Sequence, residues 1–378
     1  MLRHADVGKL LTVDSEDPLV LSLYLEMPQY LPGLREVPDR VRRLLATAAD
    51  ASAGQVSPPV MAAAEREVRK VLEGGARYWL GHGAGIFLCG PASLAERILL
   101  PAGLGERAVF AARPHVRPLL TALQRWPGYQ VALVTRQHAW LFTVAGEQVG
   151  VPGQLPSGAR LRGPDPDGWQ WLGSSRASEP IGRFPCSDLR DAAVLLGAIG
   201  RSNDEGPLVL AGHPGTIPEF LAMLPGSLRD RFAGSFAADP AVITPARIRE
   251  LAGPVVRQAM DRSAQELLTR IRDERPGTAP AGLTDCLAAV NQGAVATLAV
   301  PGRGTVPGHA CRQCGALGTA KTGCICGPGA AHPVPDLIEE MAVAVIHAGG
   351  TVQTVDDVPG GIAACLRFPD ADRTRSAA

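Results

Sequence analysis

Four cysteines fall in one short, glycine-rich stretch: Cys311-Arg-Gln-Cys314, nine residues, then Cys324-Ile-Cys326. Thiolates grouped in two close pairs suit a soft tetrahedral ion, and zinc is the divalent metal with that preference. The first pair has the common two-residue spacer, while the second is one residue shorter. Glycines at 315, 323 and 327 let the backbone fold tightly around an ion. The ligand set is either Cys311, Cys314, Cys324 and Cys326, or three of these with His309 or His332 in place of the fourth. No carboxylate pattern accompanies them, so the zinc is expected to be structural. Cys89, Cys286 and Cys365 lie in apolar stretches and read as small core residues.

Residues 150–187 form a second stretch with chemical potential. They are rich in Pro, Gly, Ser and Arg and show no hydrophobic period, which predicts a long exposed loop. Compact domains rarely keep such a loop unless it works for them. Guanidinium groups pair with phosphates and indole rings stack on bases. Arg160, Arg162, Trp169, Arg176 and Arg183 are therefore candidate RNA contacts. Asp165, Asp167 and Glu179 offset part of that charge, and a merely solvated loop has the same composition.

The formal net charge of the 378-residue chain is zero, so any contact with nucleic acid must be local. The chain contains no P-loop, no Gly-x-Gly-x-x-Gly after a strand and no His-Glu-x-x-His. Spacing alone assembles no nucleophile–base pair. No apolar run is long enough to span a bilayer, and the first residues lack a signal peptide's apolar stretch. These features lead us to expect a cytoplasmic protein with no membrane partner, in which cysteines serve as thiols or metal ligands.

The elements that position these residues divide into three segments, 1–126, 127–240 and 241–378, of mixed α/β (α+β) class. In the first, Leu19–Glu26 reads as a buried strand, residues 38–50 and 60–74 as amphipathic helices, and Gly85–Cys89 as a strand. In the second, Gln130–Thr135 and Ala139–Val144 read as a hairpin before the long loop. Helix 188–199, strand 208–211, helix 217–224 and an edge strand over 231–236 follow. The third opens at Thr244-Pro245, an N-cap with proline at the first helical position. A long helix, a shorter one closed by Gly293, a strand over 295–300, the cysteine insert at 301–335, an acidic-faced helix from Asp336 to Ala348 and two last strands complete it.

This third segment resembles the C-terminal domain of the archaeal and eukaryotic class-1 peptide release factors. The residues carrying the likeness are Gln292-Gly-Ala-Val before a buried strand, Leu337-Ile-Glu-Glu-Met, Gly349-Gly-Thr-Val, and Gly360-Gly-Ile before a strand ending in Leu366-Arg-Phe368. That domain has an L7Ae-like αβα fold shared with Pelota, and a zinc-bearing minidomain is often inserted where this chain has its cysteines. Arg113-Pro-His-Val-Arg-Pro-Leu-Leu120 is similar to a recurrent stretch of the family's bacterial branch.

The resemblance implies a three-domain factor that acts as a monomer, binds rRNA in the ribosomal A site, and in some roles has a translational GTPase as partner. In release factors the middle-domain loop carries Gly-Gly-Gln, which enters the peptidyl-transferase centre. This chain has no Gly-Gly-Gln; the nearest match is Pro152-Gly153-Gln154, and proline fixes φ and removes an N–H. Hydrolysis is therefore not expected, and hibernation of idle ribosomes or rescue of stalled ones remain as roles. Two alternatives stand beside these: a divergent peptidyl-tRNA hydrolase centred on Gln154, and a zinc-containing adaptor that binds a protein partner.

Overall fold

In the computed structural model the described residues are all except 1, 3, 16–18, 53–55, 90–93, 137, 146–147, 151–182, 186–188, 201–205, 241, 274–278, 321–325, 327–329 and 368–378. They form two compact units. One combines Met1–Gln124 with Ala264–Ala378, and the other is Arg125–Ser263.

The first part of the larger unit contains α1 (His4–Leu11), β1 (Val20–Glu26), α2 (Val37–Ala51), α3 (Pro58–Gly75), β2 (Gly83–Cys89), β3 (Leu94–Leu100), β4 (Arg107–Ala111) and α4 (Arg117–Arg125). The strands make an antiparallel sheet in the order β3-β2-β1-β4. The apolar run of β1 is explained by burial on both faces, because side chains alternate along a strand. Leu21, Leu23 and Leu25 pack with Val41 and Leu45 of α2 and Val68 of α3. Tyr24, on the other face, packs with Leu10 of α1 and Leu119 of α4.

The smaller unit contains β5 (Tyr129–Val134), β6 (His138–Ala145), β7 (Gln148–Gly150), β8 (Arg183–Pro185), α5 (Leu189–Gly200), β9 (Leu208–Gly212), α6 (Ile217–Met223), α7 (Gly226–Arg229), β10 (Phe232–Ala237) and most of α8 (Pro245–Asp273). Its sheet runs β10-β9-β5-β6-β7, and β8 also pairs with β6. The pairings β10/β9 and β9/β5 are parallel; β5/β6 is the antiparallel hairpin predicted from sequence. Leu196 and Phe220 cover one face of this sheet, and Ile248, Ala252 and Val256 of α8 cover the other. The loop predicted over 150–187 falls between β7 and β8, and its residues 151–182 lie outside the described residues.

The chain then re-enters the larger unit. The last turns of α8 are followed by α9 (Leu283–Asn291), β11 (Val295–Val300), β12 (Gly308–Cys311), β13 (Leu317–Gly318), β14 (Ala331–Val334), α10 (Leu337–His347), β15 (Thr351–Thr354) and β16 (Ala363–Leu366). Strands β15-β11-β16 form a sheet with helices on both faces: α9 and α10 on one, Leu267 and Ile271 of α8 on the other. Gly293 and Gly349 have φ of 66° and 75° and end α9 and α10 as left-handed caps. The amides of Gly293 and Ala294 reach back to Val290 and Ala289, and those of Gly349 and Gly350 reach back to Ile346 and Val345. The cysteine insert is a small sheet, β13-β12-β14. Its Ala310, Leu317 and Val334 share a core with Leu337 and Met341 of α10, so the insert is fastened to its domain by apolar packing. No helix among the described residues is long and apolar enough to cross a membrane.

Candidate functional site

The cysteine site is built by a knuckle. Cys311 closes β12, its amide donates to Ala316 O at 2.8 Å, and Gly315 N–H returns to Cys311 O at 2.9 Å. Gly315 has φ of 72°, a left-handed conformation that brings Cys314 round beside Cys311. Cys326 joins them from the far side of the insert. The three sulfurs lie within 4.8 Å of one another. Thiolates at about 2.3 Å from a tetrahedral zinc are roughly 3.8 Å apart, so this donor set fits a soft ion. Cys324 lies outside the described residues. His309 and His332 stand on β12 and β14 by the same sheet, yet neither belongs to the group formed by the three sulfurs.

The candidate RNA contacts Arg160, Arg162, Trp169 and Arg176, and also Gln154, lie outside the described residues. Arg183 is described in its backbone alone, paired with Trp140 in the β8/β6 ladder.

Inside the larger unit the structure brings together a buried polar cluster that sequence reading missed. Arg117, at the first position of α4, is fully buried. Its guanidinium donates to Asp336 Oδ2 at 2.5 Å and to the carbonyl oxygens of Gly304 and Pro301. Asp336 is also the N-cap of α10, accepting from Ile338 N–H at 3.2 Å and from Val306 N–H at 3.3 Å. One turn on, Glu339 reaches the opposite way and caps α4. Its carboxylate accepts from Val116 N–H at 2.5 Å and from Arg117 N–H at 3.0 Å. Each helix start is thus held by an acid on α10, where the helix dipole favours negative charge. His115 sits between the two: its N–H donates to Ser22 Oγ at 2.9 Å and its carbonyl accepts from Tyr24 Oη at 2.5 Å.

Burial dominates the electrostatics. It raises the Glu339 carboxyl to about 8 against the amide bonds and Arg117, which pull it down. Burial, then Arg107 and Arg117, push His115 well below the usual histidine range, so its ring is neutral. Asp336 is raised by burial with Arg117 opposing. His115, Asp336 and Glu339 bring donor atoms close enough to face a cation, but the Arg117 guanidinium already supplies the positive charge at Asp336. The acidic-faced helix predicted over 336–348 therefore needs correction: Asp336 and Glu339 are core groups, because each has a helix start or an arginine to satisfy it.

Residues 114–263, which begin within this cluster and run through the smaller unit, match the model of bacterial archaeo-eukaryotic release factor family 10. Over that segment the chain is a bacterial archaeo-eukaryotic release factor-like protein. Solved structures similar to it include Archaeoglobus fulgidus Pelota, with 15% identity over 76% of this chain and 79% of that one and a TM-score of 0.29. Another is S. cerevisiae Dom34, a translation termination-like factor interacting with Hbs1, with 9% identity over 78% and 81% and a TM-score of 0.43. A third is the archaeal translation termination factor aRF1, with 13% identity over 96% of each chain and a TM-score of 0.23. No curated protein matches the chain in sequence.

Proposed function

We propose that the chain is a ribosome-associated translation factor that docks in the A site without cleaving peptidyl-tRNA, and that its role is hibernation of idle ribosomes. The observation that carries the reading is the release-factor family match over 114–263 in a chain that contains no Gly-Gly-Gln. A middle domain of that family without its catalytic tripeptide keeps the shape that docks and lacks the residues that hydrolyse. Rescue of stalled ribosomes with a translational GTPase is the nearest other role.

In this proposal the chain acts in the cytoplasm as a monomer of three domains, 1–126, 127–240 and 241–378, the last L7Ae-like. Zinc held by Cys311, Cys314, Cys324 and Cys326 shapes the insert and takes no part in chemistry. Arg160, Arg162, Trp169, Arg176 and Arg183 meet rRNA through phosphate pairing and base stacking. The test is sedimentation of the purified protein with 70S ribosomes at rising salt. It should pellet at low salt and release as salt rises, because phosphate contacts weaken with ionic strength. Free protein at low salt would refute ribosome binding.

A further inference from the structure

The ring of His115 has one carboxylate and one guanidinium on opposite sides. Nδ1 lies 3.3 Å from Glu339 Oε2, and Nε2 lies 2.8 Å from Arg107 Nη1. A guanidinium only donates, so Nε2 must offer a lone pair and the ring hydrogen must sit on Nδ1, facing the carboxylate. That arrangement requires Glu339 to be ionised. A protonated Glu339 would reverse it: Oε1 is committed to the Val116 amide at 2.5 Å, so the new hydroxyl sits on Oε2, keeps a lone pair for the Arg117 amide at 3.0 Å and points its hydrogen at Nδ1, which must become the acceptor. The ring hydrogen then stands on Nε2, donor against donor with Arg107.

We propose that His115 is a two-state relay, in which a proton taken up by Glu339 reverses the imidazole tautomer and releases Arg107 from the cluster. The proton balance closes. One proton from water arrives at Nε2, the hydrogen of Nδ1 passes to Glu339 Oε2, and the ring is neutral before and after. Arg107 has a place to go. It already lines an open surface cleft of about 340 Å³ with Arg40, Arg43 and Glu106, so loss of its bond to Nε2 frees its head group toward that cleft. The other charged or titratable groups facing Glu339 are Tyr24 from β1, Arg117 from α4 and Asp336 from its own helix; Glu340, beside it, pairs with Arg113. Tyr24 is raised well above its usual range by burial and stays neutral, and Asp336 is held by Arg117. Glu339 is left as the group that changes state, and burial places its change at about pH 8.

The test is nitrogen NMR of the full chain with labelled histidine, titrated from pH 6 to 9.5. Below about pH 8 the His115 hydrogen should be on Nε2, and above it on Nδ1, in a one-proton transition. Glu339→Gln should abolish the swap. Arg107→Ala, which removes the donor that favours the alkaline state, should move the midpoint upward by about one unit or more. A single tautomer across the range would overturn the relay, as would a swap that persists in Glu339→Gln. An unmoved midpoint in Arg107→Ala would overturn the role of Arg107, and this variant decides the matter if Glu339→Gln does not fold.

Discussion

Replacing Arg117 by methionine tests the claim that the first and last parts of the larger unit are joined by a buried ion pair. Methionine keeps the length and the apolar stem. It leaves the Asp336 carboxylate, which is 2% exposed, without its guanidinium, and takes a donor from the carbonyls of Gly304 and Pro301. Removing one member of a buried pair costs about 3–5 kcal/mol, because the remaining charge stays out of water. In a unit of this size that lowers the melting temperature by roughly 10 °C. Adding Asp336→Asn should restore about 1–3 kcal/mol, since asparagine is neutral yet keeps the oxygen that caps α10. Differential scanning calorimetry of the four proteins reads all terms of the cycle. A loss below about 1 kcal/mol in Arg117→Met, or a double variant whose cost is the sum of the singles, would refute the coupling.

Stability of the larger unit should also follow pH. The folded Glu339 carboxyl is raised from 4.5 to about 8, so its contribution is full below 4.5 and is lost as pH climbs to 8. His115 is lowered from 6.5, so its contribution is lost as pH falls below 6.5. The two slopes oppose each other just below 6.5, and stability then drops by about 2 kcal/mol between 6.5 and 8, as thermal melts at stepped pH would show. In the smaller unit, Gly212→Ala should cost about 2 kcal/mol or more. Gly212 has φ of 150°, and an added Cβ would lie 2.4 Å from Val134 O; Gly226→Ala, whose Cβ meets nothing within 4 Å, is the control for the same urea melts. Zinc chelation, or Cys311→Ser, should remove the metal and expose β12–β14 to proteolysis while far-UV ellipticity of the rest persists. A collapse of the whole spectrum would mean that Ala310, Leu317 and Val334 anchor more of the core than the insert.

Much of the fold is legible in the chain because its signals are local. The run Val20–Leu25 announces a strand buried on both faces, and Gly293 and Gly349 mark helix ends whose φ only glycine adopts freely. The knuckle at Cys311–Gly315 is local too: it sets Cys311 and Cys314 side by side, and Cys326 brings a third sulfur within 4.8 Å of them. The polar cluster is not local. Arg117 and Glu339 are far apart in sequence, and a charged residue reads as solvent-facing until its partner is known. Strand β3 is hidden in the sequence for a related reason: Glu96 and Arg97 interrupt its apolar pattern on an exposed edge, and only pairing with β2 makes it a strand.

Occupancy of the A site by a factor that does not hydrolyse puts the protein in direct competition with tRNA. Fluorescently labelled protein is bound to idle 70S ribosomes at low salt and challenged with tRNA delivered to the A site. Mutual exclusion is expected, one protein lost for each tRNA bound, with peptidyl-tRNA in the neighbouring site left intact. Simultaneous binding of both, or release of the peptide by the wild-type protein but not by Gln154→Ala, would contradict it.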